Sequence, residues 1–182
     1  MPDLVKYGII FLVAIVTGII LTVIIFNLIK KNNENKMYDD VYFLLQSLIP
    51  DDETKDSFKI EKNSSNDFDY IFQTPNYTYY IKIIKNFGSH EICINNATKW
   101  QIRKSLNDNS MNFVENVEGL MRLDVDDTKK KKKLYIIYPN ARSLLKYINE
   151  CEMVFVKPNT DVYGTNVISY LAVEKDNSLI KL

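Results

Sequence analysis

The chain has 182 residues with 23 basic and 23 acidic side chains, so its formal charge is zero. Hydrophobic residues at 46% and charged residues at 25% are globular proportions, which excludes wholesale disorder. Two cysteines exclude a disulfide-stapled miniprotein, and the balanced charge removes any global drive toward nucleic acid or an anionic surface. The average hides an uneven distribution: Tyr7 to Ile29 carries no charge, and nearly all the charge lies beyond it. Lysine far outnumbers arginine, and with abundant Asn, Ile and Tyr this points to an AT-rich genome and to no function.

A short N-terminal tail, residues 1–6, precedes the uncharged run. As a helix, residues 7–29 span ~34 Å, enough to cross a hydrocarbon core of ~30 Å once with some tilt. Only a helix can do so alone, because every backbone N–H and C=O must be paired without water. The apolar side chains fall on all sides, and the remaining chain is too small to cover them as a buried core helix. A cleaved secretory signal has an apolar region of about 7–15 residues and a small-x-small site. The run is longer, and it leaves through Phe26, Asn27, Leu28, Ile29 and Lys30 without such a site. We therefore expect a retained transmembrane anchor in contact with the lipid bilayer.

Lys6 and the amino terminus, offset by Asp3, flank one side; Lys30, Lys31 and Lys36 against Glu34 flank the other. The lysine excess places the C-terminal part in the cytoplasm of a single-pass cell-membrane protein. In a reducing cytosol Cys93 and Cys151 would be small buried hydrophobes rather than a bridge. Ala14, Gly18 and Thr22 recur every four residues, a face on which a second helix could pack closely, so self-association through the span is a candidate interaction.

Residues 30–36 read as a polar juxtamembrane linker, and residues 37–182 as one cytosolic α/β domain held close to the membrane. Val41, Leu44, Leu45 and Leu48 follow i, i+3, i+4, i+7 spacing and predict a helix over Met37–Ile49, stopped by Pro50. SFKIEK, DFDYIFQT and YTYYIKIIK read as strands, and EICIN as a short fourth after the NFGSH turn; three or four of these form an antiparallel meander. Val114, Val117, Leu120 and Met121 predict a helix over Asn112–Arg122, interrupted by Gly119. A hydrophilic excursion, DVDDTKKKKK, precedes the apolar strand Leu134–Tyr138. Pro139-Asn140 then caps a predicted helix, ARSLLKYINE, whose apolar face holds Leu144, Leu145 and Ile148. Met153–Lys157 is another apolar strand, and VISYLAVEK closes the domain as a helix or a final strand. The fold class is α/β: one transmembrane helix, then a compact domain with a mixed sheet, a meander followed by a βαβ-like unit in which Leu134–Tyr138 and Met153–Lys157 pair in parallel.

With Asp69 in DFDYIF and Tyr80-Ile81-Lys82 in YYIKII, this order resembles the restriction-endonuclease-like, or PD-(D/E)xK, family. The resemblance implies an α-β-β-β-α-β core, with Asp69 as the first acidic metal ligand and Lys82 as the lysine of D/E-x-K. Two carboxylates would hold a divalent metal that activates water and stabilises the leaving oxygen of a nucleic-acid substrate. Tyr80 stands where the second acid belongs, and a protonated phenol cannot replace it. Glu91 and Asp67 are the candidate substitutes. The expectation is a nuclease-derived domain that has lost cleavage, and no cofactor outside the nuclease alternative.

Other patterns carry less. An EF-hand loop from Asp124, Asp126 and Asp127 would need Gly and Glu where Lys129 and Tyr135 stand. Lys129, Lys130, Lys131, Lys132 and Lys133 are candidate contacts for anionic headgroups or phosphates, and equally a solvated loop guarding the strand that follows. Arg142 would add charge at the N-terminus of the predicted helix, a second candidate anion contact. His90 is the sole histidine and has no partner at zinc-ligand spacing; no G-x-S-x-G elbow, Walker loop or G-x-G-x-x-G is present. A domain of binding or scaffolding type, with its protein partner unnamed, is the leading expectation. A membrane-tethered nuclease or its relic is the alternative.

Overall fold

The computed structural model describes residues 2–51, 55–63, 67–103, 115–122, 130–149, 152–158 and 160–180. The chain divides into two units, Met1–Asp40 and Val41–Leu182. The fold is α/β, one long N-terminal helix followed by a domain of two mixed sheets.

Helix α1 runs unbroken over Pro2–Ser47. Pro2 sits in its first turn, where the missing N–H costs nothing. The expected linker at residues 30–36 is helical instead, because Lys30 to Lys36 holds no Pro or Gly and each Asn or Lys costs only a few tenths of a kcal/mol in a helix. In the first unit Tyr7 and every described residue from Phe11 to Ile29 are exposed. In the second unit Val41, Leu44, Leu45 and Leu48 are buried, as their spacing requires, and the Tyr42 ring lies 6.3 Å from Tyr70.

The first sheet has the order β1 (Lys59–Lys62), β2 (Tyr70–Gln73), β3 (Thr78–Asn86), β7 (Lys131–Pro139), β10 (Thr165–Ser169). Strands β1 to β3 are the expected meander, while β3, β7 and β10 run parallel. The second sheet has the order β6 (Glu115–Asn116), β5 (Lys99–Arg103), β4 (Glu91–Asn96), β8 (Leu144–Asn149), β9 (Glu152–Phe155). Alternation gives β3 and β7 two buried faces. Tyr79, Ile81, Leu134 and Ile136 line one; on the other, Ile84, Tyr135 and Ile137 join Ile92, Ile94 and Trp100 of the second sheet in a shared core. Helix α2 (Tyr170–Lys175) follows β10 directly, so VISYLAVEK is a strand and then a helix.

Three further expectations differ from what is observed. ARSLLKYINE has no helix among its described residues, 141–149: Leu144–Asn149 is β8, parallel to β4 and antiparallel to β9. Leu134–Tyr138 and Met153–Phe155 consequently lie in different sheets and do not form a βαβ unit; β7 instead pairs in parallel with β3 and β10. Of the helix expected over Asn112–Arg122, residues 112–114 lie outside the described set. Glu115–Asn116 pair with β5, and the Val117 N–H donates to the Trp100 carbonyl at 2.9 Å. Apolar spacing was satisfied by packing on the sheet core, and Gly119 at φ +73° breaks any helix there.

The chain passes from the first sheet to the second after β3 and again after β7. Asn86, at the end of β3, joins the two exits. Its side-chain amide donates to the carbonyls of His90 at 3.0 Å and Asn140 at 2.8 Å, and its oxygen accepts the His90 N–H at 3.1 Å. At Gly88, in the first of these turns, a Cβ would collide with the His90 imidazole. Because Asn86 is buried, Asn86→Ala strands three backbone groups and should cost about 2–4 kcal/mol of unfolding free energy. Urea titration of the folded protein measures it.

Candidate functional site

Asp69 and Lys82 meet. Asp69 precedes β2 and Lys82 lies in β3, and their pairing follows from the hairpin register that sets Tyr70 opposite Ile81. Lys82 Nζ stands 3.3 Å from Asp69 Oδ1, while Asp69 Oδ2 accepts the Ile83 N–H at 2.7 Å. Both side chains are nearly buried; the Asp69 charge is held by Lys82 and by the Ile83 N–H, and the Lys82 charge is met by Asp69. Tyr80, in the place of the missing acid, packs edge-on to Phe68 at 5.2 Å.

Glu91 does not join them. It opens β4 in the second sheet, faces Arg103 across the β4–β5 hairpin, and forms an ion pair with that guanidinium. The Ser143 hydroxyl donates to its other oxygen at 2.8 Å. Burial pulls the Glu91 carboxyl up, but the bonds from Ser143 and Arg103, with the charges of Arg103 and Arg142, outweigh it and hold the carboxyl below its ordinary value. Among the described residues no three His, Cys, Asp or Glu side chains gather in a way that could hold a metal ion.

The remaining candidates disperse. Lys129 and the Asp124, Asp126 and Asp127 cluster lie outside the described residues, as does Cys151. Lys130 adopts φ +58° and its carbonyl accepts the Thr78 N–H at 2.9 Å. Lys131, Lys132 and Lys133 are not in a loop: they are half-buried in β7, and period-two alternation sends Lys132 to the face opposite the other two. The Lys132 ammonium lies over the Tyr77 ring, 4.2 Å from its centroid. Arg142 opens no helix; its N–H donates to the His90 carbonyl at 3.2 Å and its side chain is exposed. In α1, Ala14, Gly18 and Thr22 share an exposed face, and the Thr22 hydroxyl is used within the helix on the Gly18 carbonyl at 2.8 Å. Cys93 is free and buried, 3.8 Å from the Met153 sulfur, and burial pushes its thiol up to about 11 against the opposing charge of Arg103.

Sequence reading missed a cleft of about 510 Å³ lined by Asp67, Thr98, Val117, Gly119, Leu120, Met121 and Arg122. Gly119 forms part of its wall, and a Cβ there would lie 3.7 Å from Lys82 Cε. It also missed Arg103 and Ser143 as the partners of Glu91. The signal was present: ICIN and KWQI alternate about a polar Asn-Asn-Ala-Thr turn, which sets residues 91 and 103 opposite each other.

Compared with models of known families, with curated proteins and with solved structures, the chain finds no match in any of the three. It does have one N-terminal helix long and apolar enough to cross a membrane, with its most apolar stretch wholly uncovered.

Two outcomes follow. Lys82→Met leaves the Asp69 carboxylate buried and unpaired, and should cost about 3 kcal/mol in urea unfolding. Because the folded Glu91 pKa is lowered, its stabilisation is present above the ordinary value of 4.5 and is lost as pH falls through the folded value. Glu91→Gln should therefore show a shallower loss of stability between about pH 7 and about pH 3 than the parent chain, read from urea midpoints.

Proposed function

We propose that this chain is a single-pass cell-membrane protein whose α/β domain faces the cytoplasm and works by binding rather than by catalysis. The uncovered apolar helix carries the reading. Fourteen large apolar side chains between Phe11 and Ile29 stand exposed. Removing them from water is worth on the order of 20 kcal/mol, more than the entire folding free energy of an ordinary domain. Lys30, Lys31 and Lys36 on the domain side support the cytoplasmic orientation. In the domain, the commitment of Asp69 to Lys82 and of Glu91 to Arg103 supports a non-catalytic role, since neither carboxylate is held ready for a metal or a substrate.

The direct contact of Asp69 and Lys82 favours a second reading, a domain descended from a PD-(D/E)xK nuclease in which the acid that Tyr80 replaces has been lost. Incubating the protein with DNA or RNA and magnesium or manganese separates the two. Cleavage that disappears in Lys82→Ala would establish the enzyme; no cleavage in either chain favours binding.

The anchor has its own test. The full chain should remain in the membrane pellet after alkaline carbonate washing, and Ile19→Lys with Ile20→Lys should release it, each lysine costing ~2.5–3.5 kcal/mol at the centre of a span. Protease added outside intact cells should leave the domain uncut. Digestion of the domain there would reverse the orientation.

A further inference from the structure

Strand β9 is the edge of the second sheet, and among the described residues no strand pairs with its outer side. Its Val154 is exposed and its Phe155 is 75% exposed. The strand holds no Pro or Lys, the residues that usually guard an edge. The Val156 N–H donates to the Leu144 carbonyl at 2.8 Å, and β8 and β9 pair with Lys146 opposite Val154 and Leu145 opposite Phe155. Antiparallel alternation then aims the backbone groups of Val154 and Val156 at β8, and those of Met153 and Phe155 outward. Among the described residues, Met153 and Phe155 have no backbone partner.

We propose that β9 is the site at which two copies of this chain join, strand to strand. Antiparallel pairing about a twofold axis normal to the sheet requires each face to meet itself, so the axis passes through a residue. Within Glu152–Phe155 the axis at Val154 uses every outward group. Met153 of each copy then exchanges both backbone hydrogen bonds with Phe155 of the other, and the two Val154 residues form a non-hydrogen-bonded pair with Cα atoms ~4.5 Å apart. The exposed Phe155 ring is covered by Met153 of the second copy. A four-residue ladder buries far less than the ~1,200 Å² of a free-standing interface. The pairing therefore rests on the anchoring proposed above, which confines both copies to one surface and raises their effective concentration.

The test uses the full chain with Cys151→Ser, reconstituted in phosphatidylcholine vesicles and oxidised with copper phenanthroline. Val154→Cys should give a disulfide-linked dimer, because ~4.5 Å lies within disulfide range. Glu152→Cys, on the same face of the same strand, should crosslink at least about tenfold less, since its twofold mate is displaced by four residues, ~13 Å. Adding Phe155→Pro to Val154→Cys removes an outward N–H without touching the β8–β9 ladder and should abolish the dimer, with circular dichroism confirming the fold. Equal crosslinking at positions 152 and 154, or a dimer that survives Phe155→Pro, overturns the pairing while leaving the anchor intact. A chain that does not float with the vesicles overturns the anchor, and with it the confinement that the pairing needs.

Discussion

The domain depends on one buried amide. A chain that alternates between two sheets must leave the first twice, and the exits lie side by side because β3 and β7 are parallel neighbours, Asn86 opposite Pro139. Two adjacent turns expose backbone groups that no ladder can satisfy. Asn86 answers three of them with one side chain and so fixes the angle at which both β4 and β8 enter the second sheet. The Arg142 N–H to the His90 carbonyl and the Ile92 N–H to the Ser143 carbonyl extend the same junction into the β4–β8 ladder. The parallel pairs of the first sheet are thus connected through strands of the second, where helices would ordinarily serve.

That junction also sets the electrostatics. Ser143 sits at its edge, and its hydroxyl completes the Glu91–Arg103 pair. In the other sheet the Asp69–Lys82 pair is completed by the Ile83 N–H. Each buried charge is matched within its own sheet, which is the condition for keeping it buried at tolerable cost. The non-catalytic reading proposed above takes both carboxylates to be committed to these partners. Among the described residues the domain presents the cleft beside Gly119 and the β9 edge.

How much of this was legible in the sequence followed from how local each signal was. The apolar run from Tyr7 to Ile29 and the alternation of Tyr77 to Lys85 are properties of single segments, and both were read. The face Val41, Leu44, Leu45 and Leu48 was read for the same reason, although the start of its helix was not, because nothing in Asn32 to Lys36 marks either continuation or a break. Leu144, Leu145 and Ile148 fit a helix and a strand equally well; the choice was made by β4 and β9, which lie fifty residues upstream and just downstream. Lys131 to Lys133 misled through polarity, since their residence in β7 is imposed by its neighbours β3 and β10. Asp69 and Lys82 were grouped by the PD-(D/E)xK resemblance, and the local β2–β3 register brings them into contact. The distance of Glu91 from that pair was not legible, because its sheet could not be known without the crossing at Asn86.

An open apolar edge is a liability for a protein free in solution, where any exposed strand of any partner can add to it, and natural proteins spend charges, prolines and bulges to prevent this. The edges of the two sheets are unlike. β1 carries Lys59, Glu61 and Lys62 along its four residues, whereas β9 carries only Glu152. The charges on β1 close that edge to pairing, and β9 lacks them. Confinement to a surface makes such an arrangement workable. Under the proposed anchoring, a contact too small to hold two copies together in three dimensions would hold them in two, because the anchor would remove most of the translational freedom that association costs. On this reading the helix does more than fix the domain's address: it makes a four-residue strand sufficient.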